Sequence, residues 1–407
     1  MTTTQDPFDM SLAATRFDPY PTYQQMLDEA PVHFNETTGG WYICRYDDVV
    51  EGLKHPAISA NRLTPIYARL PEPVQAQFKV LFTTLGLWTL LLDPPEHTKL
   101  RKLVSAPFVP RLVHEMRPKI QDLTNKMIDK AMEDHPGEFN LLEDLAYDLP
   151  ATIIAEMLGA SPEDGGKIKE WSSEITNLFG AKQMTPDVLV KTQNAIQSMN
   201  DYFAEIIEDR KQNPQDDLIT ALIEAEVDGE KLTDEQLQAT TGMLIFAGHE
   251  TTTNLIANAM VILAQNPELV DAILENNDLI EPFVEESLRY EAPVQRITRA
   301  TTEEVTFSGV TIPAGQRVYF MLGAANRDPE HYESPDEFDI ARINKQHTSF
   351  GYGLHFCVGA TLGRAEAQAS ILTLVKRLKN LRLKNPISWQ DNHALRVAEN
   401  VQLTYDL

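Results

Sequence analysis

The chain reads as an α+β protein in which helix dominates, and three observations predict this. Helical patterning fills most of the first 290 residues, whereas strand-like words cluster after Ala292, so the two kinds of element are partly segregated. From Thr233 to Asn266 nothing stops a helix until Pro267. That stretch would span roughly 50 Å at 1.5 Å per residue. Its middle, Thr240 to Leu263, is nearly uncharged, and a helix apolar all round is a buried one. It is expected to run through the centre.

In chain order, Pro19–Tyr23 opens a Pro-started helix over 19–30. The words Val-His-Phe and Trp-Tyr-Ile-Cys around Gly39-Gly40 predict a hairpin over 32–46, with Cys44 a core residue of its second strand. Residues 56–92 hold scattered prolines and the apolar run Phe82–Leu92, which has no clean period. It reads equally as a functional loop and as core packing. Helices follow over 96–135 (broken near Pro107 and Pro110), 141–158 (ended by Gly159), 163–180, 186–212 after Met184-Thr185, and 216–227. Thr233 and Gln236 form a capping box for the long helix. Another helix starts near Leu279. Strands are predicted at 295–301, 305–307, 310–312, 317–322 and along 395–405, with a helix over 360–378.

Composition excludes several classes. With 43% apolar and 23% charged residues, the chain is an ordinary globular one. Two cysteines rule out a disulfide framework and suit a reducing compartment. Met1–Pro7 has no basic or apolar region of a signal peptide, and no apolar run reaches the roughly 20 residues of a membrane span. A soluble, cytoplasmic protein is expected. A net charge of −25 disfavours nucleic acid and anionic membranes. The charge is uneven: Lys99, Arg101, Lys102, Arg111, Arg117 and Lys119 face a single acid, Glu115, between His97 and Lys119. That run suits an anionic group or acidic partner, and equally a solvated helix face.

Two stretches carry chemistry. In Phe350–Gly359, Cys357 lies just before a helix start, where free N–H groups favour an anion and a thiolate can ligate a metal. Gly351 and Gly353 permit sharp turns and close approach to a flat partner. A buried structural cysteine is the plainer alternative. Ala247-Gly248-His249-Glu250-Thr251-Thr252-Thr253 interrupts the apolar helix with poor helix formers. Ala247 and Gly248 leave room beside the backbone, Thr251 can bond back to the Ala247 carbonyl, and Glu250 reads as a buried carboxylate in need of a task or partner. Thr253 replaces the second histidine of a His-Glu-x-x-His zinc motif, so zinc is rejected.

The Cys357 loop resembles the haem-ligand loop of the cytochrome P450 family, Phe-x-x-Gly-x-x-x-Cys-x-Gly, with Phe350, Gly353, Cys357 and Gly359 in every fixed position. The 247–251 group is similar to the family's Ala/Gly-Gly-x-Asp/Glu-Thr signature. Glu286 and Arg289 match its Glu-x-x-Arg pair, and Arg342 in Phe338–Arg342 matches the second arginine of that lock, although the longer Pro-Glu-Arg-Phe form is missing. His97 with Arg101, Arg299 and His355 match clamps for the haem propionates.

The resemblance implies the cytochrome P450 fold, a long central helix with small peripheral β-sheets, as one domain over 1–407. Its helix-rich core would occupy about 95–291 and 358–378, its β-rich parts about 31–46, 294–322 and 380–407. It implies haem b with Cys357 as axial thiolate, Ala247 and Gly248 beside the cofactor, and Glu250 and Thr251 carrying protons to dioxygen. The implied activity is monooxygenation of an apolar or aromatic small molecule, lined by Leu87, Trp88, Leu178, Phe179, Leu244, Ala247, Val294, Ile297 and the turn at Ala394 and Leu395. No flavin-type domain or Gly-x-Gly-x-x-Gly unit occurs, so electrons are expected from an acidic ferredoxin docking on the basic run. A monomer is expected. A peroxide-driven peroxygenase and a non-catalytic haem-binding recruitment protein are the alternatives.

Overall fold

The computed structural model describes residues 6, 8, 10, 17–108, 110–180, 185–392 and 394–407. The Met1–Pro7 segment apart from Asp6, the Met184 separator and the Arg111 side chain lie outside the described residues. The helices that position the site are α1 (Tyr20–Glu29), α2 (Glu96–Ser105), α3 (Pro110–Asp134), α4 (Asp148–Met157), α5 (Gly165–Gly180), α6 (Pro186–Gln212), α7 (Asp234–Gln265), α8 (Ile280–Tyr290) and α9 (Ala360–Arg377).

The central helix is α7. Thr233 Oγ1 accepts from the Gln236 N–H and the Gln236 side chain accepts from the Thr233 N–H, so the capping box forms as expected. Most of its side chains from Leu237 to Leu263 are buried. At about 1.5–3 kcal/mol for each fully buried large aliphatic side chain, helices α4, α5, α6, α8 and α9 packed around it outweigh its poor propensity. That packing explains a difference from expectation. The 247–253 group does not interrupt α7, which is continuous α-helix through it. Two of its side chains instead find partners outside the helix: Thr253 Oγ1 donates to Ala146 O at 2.9 Å, and His249 Nε2 lies 3.0 Å from Tyr147 O.

The main sheet has the order β1-β2-β8-β5-β3, built from Val32–Asn35, Gly40–Ile43, Arg317–Phe320, Ile297–Thr301 and Ile58–Ser59. The predicted hairpin is its β1–β2 edge, in register Val32↔Ile43. Cys44 falls one residue beyond the strand and is fully buried. Strands β6 (Val305–Phe307) and β7 (Val310–Ile312) pair alone, and β4 (Glu138–Asn140), β10 (Gln402–Asp406) and β9 (Lys379–Leu383) form a third sheet.

Three expectations needed correction. The 56–92 stretch is not an irregular loop. It holds short helices at Thr64–Ala68, Glu72–Gln77 and Lys79–Leu85 and a 3₁₀ turn at Thr89–Leu91, each too short to show a period. The helix predicted over 141–158 is a π-helical turn, Leu142–Ala146, followed by α4. The C-terminal strand begins only at Gln402, because Leu395 and Ala398 make isolated bridges to Val294 and Trp389. Among the described residues no helix is long and apolar enough to cross a membrane.

Candidate active site

The cysteine loop is shaped by its glycines. Gly351 and Gly353 both have φ of +68°, a region that favours glycine. A Cβ at Gly353 would also sit 2.9 Å from Leu53 O. The turn closes through Cys357 N–H donating to Phe350 O at 2.9 Å and Phe356 N–H donating to Gly353 O at 3.1 Å. Gly359 then caps α9. Crowding by protein atoms raises the Cys357 thiol, while the Gly359 N–H, Arg101 and Arg364 act to lower it. A coordinated metal would remove that proton outright.

Arg364, on the first turns of α9, has no counterpart in the sequence reading. Its guanidinium grips Glu285 of α8, Nε to Oε1 at 2.5 Å and Nη2 to Oε2 at 2.9 Å, and lies 4.3 Å from the Phe350 ring centre. The pair ties the helix after Cys357 to α8. Beside it, Glu286 and Arg289 form two bonds at 2.7 and 2.8 Å, and Arg342 Nε donates to Glu286 Oε1 at 3.1 Å. The structure therefore brings the three expected lock residues together, all buried. The two arginines also cap backbone carbonyls of Asn326, Glu333, Ser334, Pro335 and Glu337.

On the other side of the loop the four expected clamps converge. His97 and His355 rings lie 4.2 Å apart, and Arg101 donates to Phe356 O. Arg299 is 4% exposed, and its Nη1 donates to Thr298 O at 2.9 Å. The electrostatics are those of like charges held close. Burial and then the neighbouring Arg299, His97, Arg101 and Arg62 push His355 down to about 3, while burial and Arg62 push Arg299 down to about 9. His97 is 1% exposed, and neither ring nitrogen has a hydrogen-bond partner. Buried donors without acceptors, gathered among arginines, fit a carboxylate-bearing group.

The acid–alcohol pair of α7 takes up a different arrangement from the one expected. Thr251 Oγ1 donates to Ala247 O at 2.8 Å, as the spacing suggested. Glu250 is half-buried rather than buried, and its Oε1 accepts from Ser173 Oγ of α5 at 3.0 Å. Ser173 carries no motif and could not be picked from sequence. Helix α9 packs closely on this part of α7: a Cβ at Gly363 would be 3.6 Å from Thr252 Oγ1.

Of the expected lining residues, Trp88, Leu178 and Leu244 are buried in the core. Leu87, Phe179, Val294, Ile297 and Leu395 are partly open, and Ala247 is exposed. Trp88 stacks on Phe179 and on Phe246, with ring centres 6.1 and 5.2 Å away. Phe246, partly open and packed on Phe179 at 4.8 Å, joins this aromatic group and was not singled out from the sequence. The basic run divides between two helices. Lys99, Arg101 and Lys102 lie on α2, and Arg111, Arg117 and Lys119 on α3. Several of its charges are engaged: Lys119 with Glu156 at 2.5 Å, Lys99 with Glu230 and Lys102 with Asp228 at 3.7 Å each, and Arg117 with Gln368.

The Cytochrome P450 family pattern matches residues 64–393 of this chain. The chain belongs to the cytochrome P450 family. Members bind haem with a cysteine thiolate as axial ligand and are oxidoreductases. Cytochrome P450 107B1 of Saccharopolyspora erythraea is 36% identical, over 97% of this chain and 96% of its own length. The monooxygenase PikC of Streptomyces venezuelae is 36% identical, over 93% and 89%. Among solved P450 structures, P450BioI in complex with an acyl carrier protein ligated to hexadec-9Z-enoic acid superposes with a TM-score of 0.89. It is 33% identical over 97% of this chain and 99% of that one. CYP109E1 from Bacillus megaterium in complex with testosterone gives 0.84 at 30% identity, over 96% and 100%. The chain as a whole therefore has the P450 fold.

Proposed function

We propose that this P450 inserts one atom of dioxygen into an apolar or aromatic small molecule, with Cys357 as the haem ligand and electrons from a separate ferredoxin-type protein. The observation that carries it is the convergence of two arginines, Arg101 and Arg299, and two histidines, His97 and His355, beside the Cys357 turn, with both His97 nitrogens unpartnered. Those side chains would hold the two propionates while Cys357 Sγ holds the iron. When bound, the haem supplies dioxygen activation, and thiolate ligation favours O–O cleavage.

The remaining roles fall to the chain. The Gly359 N–H and the positive end of α9 stabilise negative charge on Cys357 Sγ. Thr251 holds a proton on Oγ1, parked on Ala247 O one turn back, from which it can rotate to donate. Glu250 is the carboxylate next to it in the chain, and Ser173 of α5 donates to that carboxylate. Phe179, Phe246 and Ile297 offer an apolar face. Relatives solved with testosterone or with a hexadecenoic acid on a carrier protein support an apolar guest of that kind. The Glu286–Arg289–Arg342 network holds the cysteine side in shape without touching the chemistry.

The test is turnover under labelled dioxygen with a ferredoxin, its reductase and NADPH, on a substrate chosen by a spin-state screen. One labelled oxygen per product molecule is expected. Equal rates with hydrogen peroxide alone would favour a peroxygenase instead.

A further inference from the structure

Arg62 belongs to no motif, yet it reaches the cationic cluster. It lies just after β3, and its Nη1 donates to Thr298 O at 3.2 Å. Arg299 Nη1 donates to the same carbonyl at 2.9 Å. Two guanidiniums are thus gathered on one acceptor, each using one of five N–H donors there. Among the described residues neither forms an ion pair with a carboxylate. Asp93 is the acid that acts on Arg299, but its oxygens already accept from Ser59 Oγ and from the Ala60 N–H at 2.8 Å. Burial, then Arg317, pushes Arg62 down to about 10, and burial with Arg62 pushes Arg299 down to about 9. On its other side the Arg62 guanidinium lies 5.7 Å from the ring centre of Phe179, which packs on Phe246 at 4.8 Å. Arg62 therefore stands between the clamps and the aromatic wall.

We propose that Arg62 and Arg299 together grip a single carboxylate at the border between the cofactor and substrate spaces. Two adjacent guanidiniums, Arg299 buried and Arg62 half-buried, are costly without an anion, and their planar forks match the lone pairs of one carboxylate. That carboxylate comes either from a haem propionate or from the acid end of an apolar substrate. The inference rests on the haem-thiolate reading above and adds a residue and a ligand chemistry to it.

The test uses the haem-loaded full chain and the variants Arg62→Gln and Arg62→Lys. The reduced carbon-monoxide spectrum is recorded first. Loss of the thiolate-type band in the unaltered protein would mark failure of the underlying reading, separately from this one. Haem release to apomyoglobin then reads the propionate arm. Titration with dodecanoate and with methyl dodecanoate, followed by the Soret spin-state shift, reads the substrate arm. Arg62→Gln is expected to speed haem release, or to weaken dodecanoate but not the ester, by about tenfold or more, equivalent to 1.4 kcal/mol. Arg62→Lys should fall between, since lysine keeps the charge without the fork. Values within twofold of the unaltered protein in both arms, or equal weakening of acid and ester, overturn the proposal. Should Arg62→Gln fail to load haem, the same comparisons on Arg62→Lys decide it.

Discussion

Replacing Glu286 with alanine should unfold this P450 far more readily than its small contact area suggests. The Glu286 carboxylate, 4% exposed, accepts from Arg289 Nε and Nη2 at 2.8 and 2.7 Å, from Arg342 Nε at 3.1 Å and from the Asp339 N–H at 3.0 Å. Removing it strands two guanidiniums that are 1% and 8% exposed. Deleting one partner of a buried pair costs about 3–5 kcal/mol, because the charge left behind cannot be hydrated. Folded domains have only about 5–15 kcal/mol in total. Arg342→Met removes a single bond to Glu286 and frees carbonyls that water can reach, so about 1–2 kcal/mol is expected there. Urea unfolding followed by far-ultraviolet circular dichroism, extrapolated linearly to water, measures both. A loss below about 1 kcal/mol for Glu286→Ala, or equal losses for the two variants, would refute the reasoning.

Three further outcomes are expected. Thr251→Ala removes the hydroxyl on Ala247 O and should lower product formed per NADPH by about tenfold or more, with peroxide appearing in its place, whereas Thr251→Ser should keep most coupling. Glu285 is pulled toward a raised value by burial, but the hydrogen bonds from His347 and Arg364 outweigh this and hold it down at about 2. Its contribution to stability is therefore complete above the ordinary glutamate value and is lost as pH falls from about 4.3 toward that point. Glu285→Gln should flatten the acid limb of the stability curve in this window, and an unchanged limb would contradict it. Reversal of Lys102 and Arg111 to Glu should slow ferredoxin-driven reduction and weaken its salt dependence. Stopped-flow reduction rates that do not change would remove the docking proposal.

Much of this was legible in the sequence where the physics is local. The capping box at Thr233, the stop at Pro267 and the Gly351 and Gly353 turn are each fixed by a few adjacent residues. Lock and clamp residues could be named because Glu286, Arg342, His97 and His355 sit in patterned contexts. What escaped depends on contacts distant in sequence. Arg364 meets Glu285 across 79 residues, and Ser173 meets Glu250 across 77. Arg62 reaches Thr298 across 236. The 247–253 group looked like a helix break because propensity counts only the helix itself, whereas Tyr147 and Ala146 supply its acceptors. Composition could not say that Trp88 and Leu178 are buried while Leu87 and Phe179 beside them stay partly open, because it does not show which face of an apolar segment packs inward.

The central claim is that Cys357 is the thiolate beneath the haem, and the carbon-monoxide difference spectrum of the reduced protein tests it most directly. The account predicts the red-shifted Soret band of thiolate ligation in the unaltered protein and in Cys44→Ser, since Cys44 is buried outside the site. That band should be absent from Cys357→Ser. A Cys357→Ser protein that loads haem and gives the same band would contradict it.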